Sequence, residues 1–180
     1  PYEFRAALLH NSPRHKTVLD KAADLSDWGK ALPENHGRGI AVHESFGSIV
    51  AEVVELSNNS GDIKVHKVYC VIDCGLTVNP DAIKAQMEGG IVYGMTAAFF
   101  GEITISNGQI NQSNFPNHEM LRMSQMPEII THIMESEAAP GGVGEPGTPP
   151  IAPALCNAIY NATGQRIRKL PIKNSGYRLV

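Results

Sequence analysis

Alternating hydrophobic and polar positions mark the strands of this chain. Residues 48–57 and 63–73 alternate and are rich in β-branched side chains, and a polar turn at 58–62 separates them. This arrangement predicts a β-hairpin with a longer loop, and residues 40–42 predict a short strand before it. Residues 30–39 are rich in glycine, proline and polar side chains, and they predict a loop.

Three other segments have apolar residues at helical spacing. The first begins at Ser12-Pro13 and stops before Gly29, and the second begins at Asn79-Pro80. The third runs from about residue 150 to residue 162, with Gly164 as its stop and Thr148 as its predicted N-cap. Proline near the start and glycine after the end of a helix match the usual asymmetry of helix termini.

The second predicted helix carries a stripe of small residues, Gly90, Gly94 and Ala98, spaced four apart. Because glycine inside a helix costs about 1 kcal/mol relative to alanine, the stripe indicates that something approaches closely. A neighbouring helix or strand is the favoured explanation, and the edge of a ligand is the alternative.

Weaker patterns complete the chain. They predict a second hairpin around Asn107-Gly108, irregular structure over 114–126, a strand over 129–134 and a last strand over 169–172. Because the strands occur in hairpins and do not alternate regularly with helices, we predict an α+β fold. Antiparallel hairpins would form a mixed sheet packed against about three helices, in a single domain over residues 1–180.

Composition excludes several functions. The 180 residues are 42% hydrophobic and 18% charged, with a net charge of −3 and no block of basic residues, so a basic nucleic-acid-binding surface is not expected. No apolar run has the roughly 20 residues of a membrane span. Cys70 and Cys74 lie about 13 Å apart along a predicted strand, too far for a disulfide. Neither the three cysteines nor the seven histidines have metal-site spacing.

The most informative segment is the glycine- and proline-rich run at 138–153. Glu145 is its only ionisable residue, and Pro146 favours an extended backbone at Glu145. Neighbouring glycines, Gly144 among them, allow a ligand to approach the backbone closely. The run therefore suits one base held in a pocket, although an acid before a helix also simply complements the helix dipole.

Four motifs in this order resemble those of a known family: GRGIAVHESFGS at 37–48, DCGLTVNP at 73–80, AQMEGGIVYG at 85–94 and GGVGEPGTPP at 141–150. The chain resembles the carboxyl-terminal region of the large, molybdopterin-binding subunit of xanthine oxidase family molybdenum hydroxylases. It is most similar to the isoquinoline 1-oxidoreductase β-subunit branch, which includes molybdenum-containing aldehyde dehydrogenases. The resemblance covers nearly the whole chain, and together with the abrupt start at Pro1 it predicts a fragment of a longer protein.

The resemblance implies an enzyme that hydroxylates N-heterocycles or oxidises aldehydes with oxygen derived from water. Glu145 would be the active-site base, Gln86 would hydrogen-bond the pterin, and Gly144 would contact the cofactor. The implied cofactor is molybdenum-pterin in its cytosine dinucleotide form, and the implied partner is an iron–sulfur small subunit. The further cofactor loops of the family have no match here, so the fragment alone is expected to bind no cofactor and to be inactive.

Other interpretations of the same residues remain. Gln86 would also fit an ordinary solvent-facing position on a helix. A non-catalytic binding or assembly domain could retain the same scaffold, and a hydrolase could use Glu145 as its base. No serine, cysteine or metal cluster near the motif is placed as the nucleophile of a hydrolase. The catalytic interpretation requires the Glu145 side chain to face a concave surface that it shares with Gln86, and not bulk water.

Overall fold

A long antiparallel meander forms the centre of the computed structural model, which describes residues 1–180. Strands β1 (His36–Ser45), β2 (Ser48–Asn59) and β3 (Asp62–Asp73) pair in sequence order. Two later strands, β6 (Glu128–Ile133) and β7 (Arg178–Leu179), pair parallel to β3 on its other side. The mixed sheet therefore has the order β1-β2-β3-β6, with β7 beside the start of β3.

Four helices surround this sheet: α1 (Tyr2–Leu8), α2 (Pro13–Leu25), α3 (Pro80–Phe100) and α4 (Ile151–Thr163). A separate two-stranded ribbon is formed by β4 (Ile105–Ser106) and β5 (Gln109–Ile110). Short 3-10 turns occupy Phe115–Asn117, Met123–Gln125 and Ile172–Ser175. No helix is both long and apolar enough to cross a membrane. The predicted α+β class is confirmed.

The two faces of the sheet bury two separate clusters. On one face, residues such as Val54 and Ile72 pack with α3 and α4 in a core of 26 buried residues. On the other face, residues such as Val53 and Val71 join α2 in a core of nine buried residues. Alternation along β2 and β3 therefore has its expected cause, because successive side chains of a strand point to opposite faces.

Two glycines bring α4 onto β1. A Cβ atom on Gly39 would overlap the carbonyl oxygen of Ala154, and one on Gly37 would overlap that of Ala158. The predicted loop over 30–39 is therefore wrong at its end, because β1 begins at His36 and these glycines belong to the strand. Their missing side chains provide room for the backbone of the helix.

Other sequence predictions are corrected at the ends of the chain. Helix α1 has no counterpart among the predicted elements, since its seven residues bury no side chain and give little periodic signal. The strand predicted over 169–172 is absent, and the last strand is Arg178–Leu179, which pairs with Asp62 and Ile63. All three cysteines are free, as expected.

Candidate active site

The loop that carries Glu145 is attached to the end of the sheet by backbone hydrogen bonds. The N–H of Gly142 donates to the carbonyl oxygen of Phe46 at 2.8 Å, and the N–H of Gly141 donates to that of Cys74 at 2.8 Å. The hydroxyl of Ser48 donates to the carbonyl oxygen of Gly142 at 2.7 Å. The start of the loop is thus held by the β1–β2 turn and by the segment after β3.

The β1–β2 turn that receives the loop has an unusual backbone. Phe46 and Gly47 lie between the paired residues Ser45 and Ser48 and have φ values of +56° and +78°. Positive φ is uncommon for a bulky side chain, and two-residue turns of this kind favour Asn-Gly. The Phe46 side chain is 66% exposed beside the loop. Sequence reasoning assigned no role to this turn, and the unusual Phe-Gly pair was the signal available.

The far end of the loop is attached to α3. Thr148 donates its hydroxyl to the carbonyl oxygen of Gly90 at 3.2 Å, and its N–H donates to that of Glu145 at 2.9 Å. A Cβ atom on Gly94 would overlap the side chain of Ile151. Gly90 and Gly94 therefore receive the protein segment that leads into α4, so the close neighbour is a loop and the first residue of a helix, where the sequence favoured a helix or strand.

One detail of this segment differs from the sequence prediction. Thr148 does not cap α4, because its hydroxyl is bonded to α3 and the helix begins at Ile151, after Pro150. No side chain caps this helix terminus. Glu145 therefore lies in a turn before the helix, further from the helix N-terminus than the capping pattern suggested.

The predicted site residues come together at the surface. Gln86 lies in the second turn of α3, and its Nε2 atom is 4.0 Å from the position that a Cβ atom on Gly144 would occupy. Gly144 directly precedes Glu145, and all three residues are exposed. The amide of Gln86 and the open backbone of Gly144 are therefore neighbours, with Glu145 next in the chain, while the roles of all three residues stay predictions.

The surroundings of this surface are open. Gly141 and Val143 line a mainly apolar cavity of about 180 Å³ together with residues after β3 and in the first turn of α3. Glu145 is exposed and forms no ion pair with another side chain. No three His, Cys, Asp or Glu side chains lie close enough together to hold a metal ion. A closed pocket around Glu145 would need walls from outside this chain.

These residues fit part of a pterin site. A glutamine amide both donates and accepts hydrogen bonds, which matches the edge of a pterin ring. The absence of a side chain at Gly144 leaves space beside that amide for a planar group. The Gln86 amide and the open backbone at Gly144 therefore suit a contact with an organic cofactor, and they do not form a set of metal ligands.

The class of protein follows from a comparison with protein families. The molybdopterin cofactor-binding domain family matches residues 17–127, and the chain belongs to this family. The matched segment includes Gln86 and ends before Glu145. The resemblance to molybdenum hydroxylases is confirmed, whereas the roles of the individual site residues stay predictions.

Particular relatives agree with this assignment. The chain is 38% identical over 178 residues to isoquinoline 1-oxidoreductase subunit beta of Brevundimonas diminuta, covering 96% of this chain and 23% of that protein. It is 30% identical over 195 residues to the membrane-bound aldehyde dehydrogenase (pyrroloquinoline-quinone) of Gluconacetobacter polyoxogenes, covering 96% of this chain and 25% of that protein. The chain thus spans about a quarter of the length of these relatives.

Solved structures support the fold. The crystal structure of quinoline 2-oxidoreductase from Pseudomonas putida 86 superposes with a TM-score of 0.61 at 22% identity, over 69% of this chain and 17% of that one. At this identity the likeness shows the shared fold alone.

Proposed function

We propose that this chain forms one wall of the molybdenum-pterin site of an oxidoreductase that hydroxylates N-heterocycles or oxidises aldehydes with oxygen from water. The observation that carries the proposal is the placement of Gln86 beside Gly144, one residue from Glu145. The similarity to an isoquinoline oxidoreductase subunit and to an aldehyde dehydrogenase supports these two substrate classes. The cytosine dinucleotide form of the cofactor and an iron–sulfur partner subunit belong to the same proposal.

In this site the chain contributes acid–base chemistry and positioning. The cofactor, when bound, supplies the Lewis acid and the electron sink of the reaction. Glu145 accepts the proton that is released when oxygen from water is activated, and the attachment of its loop at both ends fixes its position. Gln86 donates to and accepts from the pterin edge, which orients the cofactor relative to Glu145.

The remaining walls would come from outside residues 1–180. Both Glu145 and Gln86 are exposed, and the chain spans 23% of its isoquinoline oxidoreductase relative. We therefore expect the chain alone to be inactive and free of molybdenum. Metal analysis of the purified chain, compared with the full-length enzyme, measures this expectation directly.

The role of Glu145 is tested by replacing Glu145→Gln in the full-length enzyme. Loss of the base should lower turnover by at least ~10², in line with the size of general-base effects, while molybdenum content stays unchanged. Glu137→Gln, an exposed acid earlier on the same loop, is the matched control and should retain turnover. Near-normal turnover of the Glu145 variant would remove the assignment.

The role of Gln86 is tested by Gln86→Leu, with Glu88→Gln as a control on a different side of the same helix. The Leu variant should lose pterin on purification, because a buried ring edge would no longer have its hydrogen-bond partner. Retained pterin and turnover would remove Gln86 from the site. If Gln86→Leu loses pterin while Glu145→Gln keeps normal turnover, the results would instead favour a domain that binds the cofactor and takes no part in catalysis.

A further inference from the structure

A cavity of about 440 Å³ lies on another part of the molecule, between α1, the first turns of α4 and the segment after α4. None of the proposed active-site residues lines it. Ten residues form its wall, and four of them are basic: Arg5, Arg166, Arg168 and Lys169. No aspartate or glutamate lines the cavity. It is therefore a strongly cationic concave surface on a chain with a net charge of −3.

The basic side chains of this cavity are unusual within the chain because they lack acidic partners. Seven of the fifteen Lys and Arg residues form ion pairs with Asp or Glu side chains. All four cationic residues of the cavity are among the other eight. Grouping uncompensated positive charges on one concave surface concentrates the field and attracts an anion.

Part of the cationic wall is fixed in position. The Arg166 guanidinium lies 3.6 Å from the centroid of the Tyr160 ring, and its Nη1 donates to Oδ1 of Asn157 at 2.8 Å. A guanidinium has five N–H donors, so several remain free for a ligand. On the opposite wall Arg5 is half-buried, its Nη1 donates to the carbonyl oxygen of Pro1 at 3.1 Å, and burial lowers its pKa. A fixed guanidinium loses less freedom when it binds an anion.

The remaining wall is mainly apolar. Ala152, Pro153, Ile167 and Leu170 contribute hydrocarbon surface next to the basic residues. A small inorganic anion would leave this surface exposed to water, whereas a ligand with a non-polar body would cover it. The combination fits an amphiphilic anion better than a simple ion.

We propose that this cavity binds a small phosphate ester, with the phosphate held by Arg166, Arg168 and Lys169 and the organic part against Pro153 and Leu170. A phosphate monoester carries about −1.5 to −2 charges at neutral pH and three acceptor oxygens, which matches several cations in one wall. Guanidinium groups bind such oxygens in pairs of parallel hydrogen bonds.

The test measures binding of phenyl phosphate, inorganic phosphate and benzoate to the full-length enzyme by calorimetry. Phenyl phosphate should bind most tightly, since it alone combines the divalent head with an apolar body. The double variant Arg168→Gln with Lys169→Gln should bind it about tenfold more weakly or worse, because charge-assisted hydrogen bonds are lost. Lys21→Gln with Lys64→Gln removes the same charge elsewhere and should leave binding unchanged.

Cys156 provides a second readout, because it lines the cavity whereas Cys70 and Cys74 are buried. Bound phenyl phosphate should slow the alkylation of Cys156 by iodoacetamide. Mass spectrometry of the peptide that contains Cys156 measures this rate. Equal weakening by both double variants would show non-specific charge attraction and overturn the proposal. Equal affinity for inorganic phosphate, or unprotected Cys156 at saturating phenyl phosphate, would overturn the assignment of an ester to this cavity.

Discussion

Replacement of the buried Glu52 should change how stability depends on pH. Glu52 lies on β2, is 0% exposed, and neither of its carboxyl oxygens has a hydrogen-bond partner. Its neighbour across the sheet is Cys70, and Thr131, opposite Cys70 on β6, also has a buried hydroxyl without a partner. Burial raises the pKa of Glu52 well above its usual range, so the folded protein holds this carboxyl in its neutral form.

The sign of the effect follows from proton linkage. The unfolded chain releases the proton of Glu52 near pH ~4.3, whereas the folded chain retains it to a higher pH. The contribution of Glu52 to stability is therefore fully present below the unfolded pKa and is lost as pH rises through the folded pKa. Within that interval the free energy of unfolding falls by about 1.4 kcal/mol for each pH unit.

The assay is urea unfolding of the wild type and of Glu52→Gln at several pH values from 4 to 8. Glutamine keeps the shape and cannot ionise, so the variant should lack this slope and exceed the wild type in stability by an amount that grows with pH. The difference in the free energy of unfolding should keep growing with pH until the folded protein also releases the proton of Glu52. Glu88→Gln, an exposed acid on α3, is the control and should keep the wild-type slope. Parallel pH profiles for Glu52→Gln and the wild type would refute the reasoning.

Two further predictions concern the backbone, and both are measured by urea unfolding. Gly39→Ala should lower the free energy of unfolding by about 3 kcal/mol or more, because the new Cβ atom would meet the backbone of α4 at Ala154. Gly89→Ala should instead raise it by about 1 kcal/mol, because a Cβ atom at this helical position meets nothing within 4 Å. Equal effects at the two glycines would contradict the close packing of α4 on β1. Phe46→Asn should raise the free energy of unfolding by up to about 1 kcal/mol, because asparagine tolerates positive φ and the chain itself places Asn107 at φ +51° in another two-residue turn. Destabilisation by this change would mean that the Phe46 side chain makes contacts which outweigh its backbone conformation.

Patterns within single elements were predictable from the sequence. The strands β2 and β3 and the helix α3 were found because their side-chain periodicity reflects burial on one or two faces. The beginning of β1 was missed because its glycines look like a loop, and their reason is a contact with α4 more than a hundred residues later. The parallel pairing of β6 and β7 with β3 depends on where the chain returns, which local patterns do not encode.

The candidate site shows the same division. Composition alone singled out Glu145, because one acid in a glycine- and proline-rich run is conspicuous. The contacts that position its loop involve Ser48 and Phe46, which lie about 90 residues earlier, and no spacing rule connects them to Gly142. The hydroxyl of Thr148 likewise had two possible partners, and tertiary packing selected the carbonyl oxygen of Gly90 over the helix terminus.

The attachment of the Glu145 loop at Gly142 and Thr148 has a consequence for ligand recognition. Only the five residues 143–147 separate these two points, and Thr148 is bonded to Glu145 itself. Such a short tether has few alternative conformations, so the entropy of arranging the acid is lost during folding and not during each encounter with a ligand. A molecule arriving at this surface meets a carboxylate whose backbone is already ordered by the fold.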